Sequence, residues 1–539
     1  MVQVSCSNAP QKNQETAAPQ PTPTLGGQFI NKAWPTNTPA TRVESDAAID
    51  SLVRVEVTKN VHPISPLIYG VSGASKEVLN ILRPTLNSWG GNPSTRYNWL
   101  IGHAWNAGSD WFYRNGNYGF LEGSASDQFA QEAQDAGIVT RFALPILGWV
   151  AKDDNNATCS FPQADGSCGD ANGATCANPG EIADPTTANV ASNPASISEW
   201  VTHLSREKGY NIRFLALDNE PELWGYTHYD VHPNCTTYSE ILAKYIEYTQ
   251  AVHQVIPETE FAGPVTCCWQ YYWDSAAGPV DKLQHGNQDF LPWFLESIRK
   301  QDLASGWRSL HVLDLHYYPD GLYNNNVDEA TAAWRLRSTR SLWDESYIDE
   351  SWIGKPVYLI PRMKQLLNDF YPETRFGISE WNWGADNTMN GALAIADVLG
   401  IFGVQDLYYA SYWQYPEIGS PGFNAFKLYT NYDGKGSRFG DISVWSDTSN
   451  QTEISSYAAL DSLTGNLHVM LINKNPEKPY NINIKLGGYT AGTTIDMYRL
   501  DTARSKEIVK SSLGKIGENL NLDLPAYSIS LLVYKGKTN

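Results

Sequence analysis

Basic residues are scarce in this chain of 539 residues, which has 39 Lys and Arg against 58 Asp and Glu and a formal net charge of −19. An electrostatic field of that sign repels phosphate backbones and acidic lipids, so nucleic acid and anionic membranes are excluded as partners. Long apolar runs are missing too, and no stretch approaches the roughly 18 residues that a membrane-spanning helix needs. A neutral substrate is compatible with this charge.

Motifs for catalytic metals and nucleotides are also absent, because the chain has no EF-hand spacing, no H-E-x-x-H and no P-loop. We therefore expect no organic cofactor. Cysteine is sparse: apart from Cys6 there are six, three of them in a loop rich in Gly, Asn and Asp. An even number predicts one or two disulfides in an oxidising compartment, with the pairing left open. A zinc site is the alternative, but no C-x₂-C pair supports it.

Residues 1–45 are rich in Pro, Thr and Gln and lack hydrophobic periodicity, a composition typical of a disordered leader or linker. No intact signal peptide is present, which suggests a mature form. The opening MVQVSC resembles the remnant of a bacterial lipoprotein cleavage site, with lipid attachment at Cys6; an ordinary free cysteine is the alternative. We expect a secreted or cell-surface bacterial protein that acts as a monomer.

Eight apolar, β-prone runs alternate with segments long enough for helices. Such alternation predicts an α/β fold, a (β/α)₈ TIM barrel over residues 63–435. A doubly wound open sheet is the alternative, but it would not require eight repeats. The runs occupy residues 67–71, 86–91, 140–147, 213–220, 260–266, 311–319, 375–381 and 407–415.

The hydrophobic pattern of the sequence changes after about Gly436. Six short alternating runs joined by Gly, Asn, Pro and Asp turns predict a second, smaller all-β sandwich over residues 436–539. An early strand at 51–57 has no helix of its own. We therefore predict that residues 46–62 supply the first strand of the sandwich, with the barrel inserted between its parts.

Two glutamates lie at the ends of apolar barrel runs, Glu220 as the last residue of the fourth run and Glu380 near the end of the seventh. Barrel enzymes carry their chemistry at these strand ends, and a carboxylate there is costly to bury without a purpose. Hydrolysis of a glycosidic bond with retention needs such a pair about 5 Å apart. Burial and mutual repulsion should raise the pKa of the acid partner. A salt-bridge role is the alternative for either glutamate alone.

The segments LDNEPELW, SWGGNPSTRYNW, NAGSDWF and ISEWNWG carry a family resemblance. They resemble glycoside hydrolase family 44, whose members are endo-β-1,4-glucanases and xyloglucanases, over about residues 50–535. The resemblance implies that Glu220 is the acid/base, that Glu380 is the nucleophile and that Asn219 holds a sugar 2-hydroxyl. It also implies plant polysaccharide substrates: cellulose, xyloglucan, mixed-linkage glucan or xylan.

Further binding residues are expected at other strand ends. The resemblance implies that Tyr317 or Tyr318 orients Glu380 and that Trp413 forms the floor under the reacting sugar. His316 is a candidate for the same group of binding residues, with a structural buried histidine as the alternative. Asn92 and Arg96 follow the second run and are expected to bind sugar hydroxyls, although Arg96 has the alternative of pairing with a carboxylate beneath the site. The 19 Trp suggest flat faces for sugar rings. The groove candidates, each with core packing as the alternative, are Trp99, Trp105, Trp111, Trp381 and Trp383.

An acidic loop runs from Asp153 to Asp184 and is rich in oxygen-bearing side chains, the ligands that calcium prefers. The resemblance also implies a structural calcium on a barrel loop, for which Asp153 and Asp154 are candidates. A solvated loop without metal is the alternative.

Two other functions remain open at the level of sequence. One is another retaining enzyme of the same clan, such as an arabinofuranosidase or a xylanase, because surrounding loops separate these activities. The other is a non-catalytic carbohydrate-binding protein, which the two strand-end glutamates argue against.

Overall fold

The computed structural model describes residues 49–492, 494–513 and 519–536. The predicted leader at 1–45, with Cys6, lies outside these residues. The strands within the described ranges are β1 Ser51–Glu56, β2 His62–Pro63, β3 Gly70–Ser72, β4 Leu86–Trp89, β5 Trp105–Asn106, β6 Asn115–Gly116, β7 Val139–Leu144, β8 Trp149–Ala151, β9 Asn189–Ala191, β10 Ile212–Leu217, β11 Glu260–Thr266, β12 Val312–Tyr317, β13 Arg375–Trp381, β14 Tyr409–Tyr412, β15 Ile442–Thr448, β16 Ile454–Leu460, β17 Leu467–Asn473, β18 Tyr480–Gly487, β19 Ile495–Asp501, β20 Arg504–Ser512, β21 Asn519–Leu524 and β22 Ser528–Tyr534.

The α-helices pack mainly around the barrel. They are α1 Lys76–Leu82, α2 Ala125–Asp135, α3 Pro194–Thr202, α4 Trp224–Thr227, α5 Tyr238–His253, α6 Pro279–Gln284, α7 Phe290–Ser305, α8 Glu329–Ser338, α9 Leu359–Phe370, α10 Met389–Val404 and α11 Pro421–Thr430. Among the described residues, no helix combines the length and the apolar character that crossing a membrane requires.

Eight parallel strands close into a barrel in the order β3, β4, β7, β10, β11, β12, β13 and β14. Each of them overlaps one of the eight runs, so the predicted (β/α)₈ barrel is confirmed. The strands are short and apolar because every barrel strand is covered by helices outside and side chains inside. Closure brings all eight carboxyl ends to one rim, where the strand-end residues of distant segments meet.

Helix α5 shows how local sequence sets the barrel's outer layer. The side chain of Thr237 accepts a hydrogen bond from the backbone N–H of Glu240 and so caps the first turn, which satisfies a donor that the helix leaves free. Its buried residues recur at helical spacing and face the strands; they include Ile241, Tyr245, Tyr248 and Val252. This is the apolar face predicted from the sequence.

The predicted β domain is confirmed as well, as a ten-stranded, mostly antiparallel sheet formed by β1, β2 and β15–β22. Strand β15 pairs with β16 through its first residues and with β1 through its last, so the sheet continues around one apolar core. Strand β1, the early strand without a helix of its own, pairs with both β15 and β18. Segments from both ends of the described chain therefore meet in this domain.

Three disulfides are present where the sequence predicts one or two. Cys159 is joined to Cys168, Cys176 to Cys235, and Cys267 to its neighbour Cys268. The predicted number of disulfides was too low for two reasons. The barrel brings Cys176 and Cys235 together from different loops, and adjacent cysteines are seldom paired. All six cysteines are oxidised, so none of them remains to form the alternative zinc site.

Candidate active site

The end of β10 is held in place by a buried carboxylate. Asp218 follows the last residue of β10 and accepts hydrogen bonds from the hydroxyl of Thr95, 2.6 Å away, and the backbone N–H of Ile146, 2.9 Å away. The backbone N–H of the nearby Glu220 donates to the carbonyl of Val265 at 3.1 Å. These bonds connect β10 to both neighbouring strands, so the Glu220 side chain is fixed at the rim.

Glu220 and Glu380 meet at this rim around a buried histidine. A carboxylate oxygen of each glutamate and Nδ1 of His316 all lie within 4.8 Å of one another. His316 Nδ1 is 2.9 Å from Oε1 of Glu220 and 3.4 Å from Oε2 of Glu380. This carboxylate spacing matches the short separation of retaining glycosidases and leaves no room for the water that an inverting enzyme places between the pair.

Tyr318 orients one member of the pair. Its hydroxyl donates to Oε2 of Glu380 at 2.8 Å, and this bond stabilises the ionised carboxylate. Of the two tyrosines that the sequence proposes for this contact, Tyr318 therefore makes it. Tyr317 lies in the wall of the site, only 3% exposed and packed against the ring of Trp383.

The pKa values of Glu380 and His316 are both raised above their usual values. Burial raises the pKa of Glu380 to about 7, although His316 and Tyr318 lower it and the nearby Glu220 carboxylate raises it. Burial lowers the pKa of His316, but the two carboxylates outweigh this and bring it to about 8. The sequence predicts the raised pKa for the acid partner, whereas the structure places it on Glu380. The burial of Glu380 beside a second carboxylate thus favours its protonated form up to about pH 7.

A buried ion pair lies beneath the pair of glutamates. The guanidinium of Arg141 donates twice to Oδ2 of Asp314, at 2.6 and 3.0 Å, and once to the hydroxyl of Ser88 at 3.1 Å. The other oxygen of Asp314 accepts from the backbone N–H of Ser379 at 3.1 Å. Strands β4, β7, β12 and β13 are thus tied together directly under Glu380.

Removing one partner of this ion pair should destabilise the barrel strongly. Arg141→Met leaves the Asp314 carboxylate buried without its cation, so we expect the free energy of unfolding to fall by about 3–5 kcal/mol. The measurement is chemical denaturation followed by fluorescence. The double variant Arg141→Met/Asp314→Leu, which removes both charges, should recover much of the loss. Equal loss in the single and double variants would contradict the role given to the ion pair.

Asn219 and Asn92 form one polar network beside Glu220. The Asn219 amide donates to Oδ1 of Asn92 at 3.0 Å and accepts from the backbone N–H of Gly91 at 3.1 Å. Asn92 in turn donates to Oδ2 of Asp110 at 2.7 Å. Both asparagines line the cavity, as the sequence predicts, and their mutual bonds hold the amides in one orientation.

Trp413 also lines the cavity and packs against Gly91. A Cβ atom at position 91 would lie 2.3 Å from the indole ring, and Gly91 has a φ of 81°. Only glycine meets both conditions. The glycine of the SWGGN segment thus leaves space for the indole ring of Trp413 at the rim.

Four of the predicted binding residues do not line the cavity, and one of them is His316, which is fully buried beside the two glutamates. Arg96 is fully buried and pairs with Asp230, 2.7 Å away, so the expected sugar contact is wrong and the alternative ion pair is correct. Trp381 and Trp383 are both 0% exposed and pack on each other and on the residues around them. Their predicted groove role is wrong because these two side chains point into the barrel's outer layer.

The remaining tryptophan and calcium candidates also lie away from the pair. Trp105 is buried, and Trp99 and Trp111 are half-buried outside the cavity lining. Asp154 forms an ion pair with His103 at 2.9 Å, and Oδ1 of Asp153 is 3.4 Å from the Asn115 amide. Both carboxylates thus contact protein donors, and the calcium site stays a prediction.

The cavity itself has a volume of about 320 Å³. Several of its lining residues were not predicted from the sequence, although four of them form the segment CCWQ directly after the fifth run. The residues that the prediction missed include Asp110, Cys267, Cys268, Trp269, Gln270, Asp320, Tyr323 and Trp352.

Known proteins resemble the chain across both domains. The model of glycoside hydrolase family 44 matches residues 104–321. The endoglucanase A of Paenibacillus lautus is 30% identical over 526 residues, which cover 91% of this chain and 73% of that protein.

Two solved structures extend the comparison. The bifunctional glucanase-xylanase CelM2 from a metagenome library has a TM-score of 0.85 at 35% identity and covers 90% of this chain and 99% of its own. The family 44 xyloglucanase of Paenibacillus polymyxa, solved with xyloglucan, has a TM-score of 0.79 at 26% identity and covers 90% and 99%.

Proposed function

This chain belongs to glycoside hydrolase family 44, and we propose that it cuts β-1,4-linked plant polysaccharide inside the chain with retention at the anomeric carbon. It is an endo-acting hydrolase of β-glucans. The observation that carries the proposal is the pair Glu220 and Glu380, whose carboxylate oxygens lie within 4.8 Å in an open cavity at the barrel rim.

In the proposed first step, a carboxylate oxygen of Glu380 attacks the anomeric carbon while Glu220 gives its proton to the glycosidic oxygen. The bond to the leaving sugar breaks and a covalent glycosyl ester forms on Glu380. Glu220, now ionised, then takes a proton from water, which attacks the same carbon and releases Glu380. Two inversions at one carbon give net retention.

The surrounding residues prepare the pair for these steps. Tyr318 holds Glu380 in the orientation for attack, and His316 donates to Glu220 while it lies beside Glu380. Asn219, held by Gly91 and Asn92, is proposed to bind the 2-hydroxyl of the reacting sugar, and Trp413 to lie under its ring. A hydrogen bond to that hydroxyl strengthens as positive charge develops on the ring.

Loss of the tyrosine hydroxyl should slow the attack. Tyr318→Phe removes one hydrogen bond to the ionised Glu380, worth about 1.5–3 kcal/mol, so we expect kcat to fall about tenfold or more with little change in KM. Steady-state kinetics on carboxymethylcellulose measure both constants. A rise in KM at unchanged kcat would assign Tyr318 to ground-state sugar binding instead.

A substrate panel tests the proposed activity. Carboxymethylcellulose and xyloglucan should both be cut, with a fast fall in viscosity relative to the release of reducing ends, because internal cuts shorten long chains early. Xyloglucan is included because a related family 44 enzyme was solved with it. Hydrolysis of aryl-arabinofuranoside alone would contradict the proposal, and so would sugar binding without hydrolysis of any substrate.

The proposal also includes the cellular location of the protein, a bound metal and the oligomeric state. Three disulfides support a secreted or cell-surface protein, because such bonds persist in oxidising compartments. A structural calcium and a monomeric state are retained as predictions from the sequence.

A further inference from the structure

The disulfide between Cys267 and Cys268 lies inside the cavity rather than in a remote loop. The two residues directly follow β11, and both line the cavity together with the next residue, Trp269. Cys267 is buried and Cys268 is half-buried. The oxidised pair thus presents no free thiol to whatever enters the cavity.

The loop after β11 is hydrogen-bonded to the loop after β10, which carries Glu220. The backbone N–H of Cys267 donates to Oε1 of Glu222 at 2.5 Å. Burial, together with the nearby Glu220 carboxylate, raises the pKa of Glu222 to about 8, which favours its neutral form at pH 7. The backbone bond from Glu220 to Val265 joins the same two strands.

Apolar packing supports the disulfide from behind. Leu223 and Tyr271 are buried against Cys267, and Tyr226 and Ala276 pack on the same cluster with Cys268. The disulfide therefore lies between this small apolar cluster on one side and the cavity on the other. Sulfur is polarisable and contacts apolar groups well.

The barrel order shows which half of the cavity this wall belongs to. Glu220 on the loop after β10 and Glu380 on β13 divide the rim, with β11 and β12 on one side and β14, β3, β4 and β7 on the other. Trp413, proposed to lie under the attacked sugar, follows β14 and belongs to the second side. The sugar beyond the cleaved bond must then lie on the side of β11.

We propose that the Cys267–Cys268 disulfide is a specificity-determining wall for the sugar ring on the leaving-group side of the cleaved bond, with Glu222 as its positioning residue. The inference rests on the proposed hydrolase function. Apolar faces of a pyranose ring would rest on the disulfide and on the neighbouring Trp269, so the wall favours substrates that continue past the cleaved bond.

Protection of the disulfide by substrate tests the proposal without altering the cysteines. The Glu380→Gln variant is saturated with cellohexaose and treated with tris(2-carboxyethyl)phosphine, and newly exposed thiols are alkylated and located by mass spectrometry. We expect reduction of Cys267–Cys268 to slow about fivefold or more because access governs exchange. Cys159–Cys168, which also pairs a buried with a half-buried cysteine, is the internal control and should be unaffected.

The outcomes separate this inference from the proposed function. Calorimetric binding of cellohexaose without protection of Cys267–Cys268 overturns the wall while leaving the hydrolase intact. Equal protection of both disulfides also overturns it, because it indicates general tightening of the fold. A wild-type enzyme that hydrolyses no β-glucan refutes the proposed function itself.

Kinetics of a double variant give a second test. Cys267→Ala/Cys268→Ala removes the wall, so the ratio of kcat/KM for cellohexaose to that for β-cellotriosyl fluoride should fall about tenfold, the size of a lost apolar contact in a specificity pocket. Fluoride is a leaving group that places no sugar on that side. An unchanged ratio, whether both rates persist or both fall together, contradicts the proposal.

Discussion

Glu380→Gln should abolish most turnover on every substrate, with kcat lower by on the order of 10⁴-fold or more, because removing a nucleophile disables both steps. The loss should be equally severe for polysaccharide and for activated aryl glycosides, since both require the covalent intermediate. Binding of oligosaccharide should remain measurable by calorimetry. Reducing-sugar and chromogenic assays determine the kinetic constants.

Glu373→Gln is the matched control. Glu373 lies just before β13, and its side chain is 89% exposed, so the same substitution there should leave activity unchanged. Chemical rescue tests the role directly: azide should restore turnover of an activated substrate by Glu380→Gly and give the glycosyl azide of inverted configuration. More than about a hundredth of wild-type kcat in Glu380→Gln would contradict the assignment, since a lost nucleophile costs far more.

Glu220→Gln should separate substrates by their leaving groups. General acid catalysis contributes about 10²–10⁴-fold, so kcat on polysaccharide should fall by that amount. An aryl glycoside with a good leaving group needs no proton in the first step and should retain far more activity. Glu207→Gln, whose side chain is 66% exposed, serves as the control and should behave like wild type.

The pH profile adds an independent signature for Glu220. In the wild type, attack requires ionised Glu380, whose pKa burial raises to about 7, so formation of the glycosyl-enzyme should become faster as the pH rises through that value. The Glu220 carboxylate contributes to this rise in the pKa, so in Glu220→Gln the acidic limb, measured with an activated substrate, should move to lower pH. An acidic limb that stays in place would contradict the coupling of Glu220 to Glu380.

Much of this architecture follows from local pattern. Each barrel strand is an apolar run between helical segments, and strand ends of a barrel share one rim, so Glu220 and Glu380 could be brought together without coordinates. Asn219, Asn92 and Trp413 follow from the same logic, combined with family resemblance. Each of these five residues lies at the end of a barrel strand or in the loop directly after it.

Prediction failed where orientation depends on tertiary packing. Trp381 and Trp383 flank Asn382 at the end of β13, yet they are buried in the core, because side-chain direction beyond a strand end is set by neighbouring helices. Arg96 was ambiguous for a related reason: its partner Asp230 lies on a loop far along the sequence. The Cys267–Cys268 disulfide was not predicted because the spacing of two adjacent cysteines does not by itself suggest that they pair with each other.

The most direct test of the central claim is to trap the covalent intermediate. Incubation with a 2-deoxy-2-fluoro-cellotrioside carrying a good leaving group slows the second step more than the first, and peptide mass spectrometry then locates the sugar. The account predicts one sugar ester on the peptide that contains Glu380 and none on that of Glu220. A label on Glu220, or inverted product by NMR with no trapped species, would contradict it.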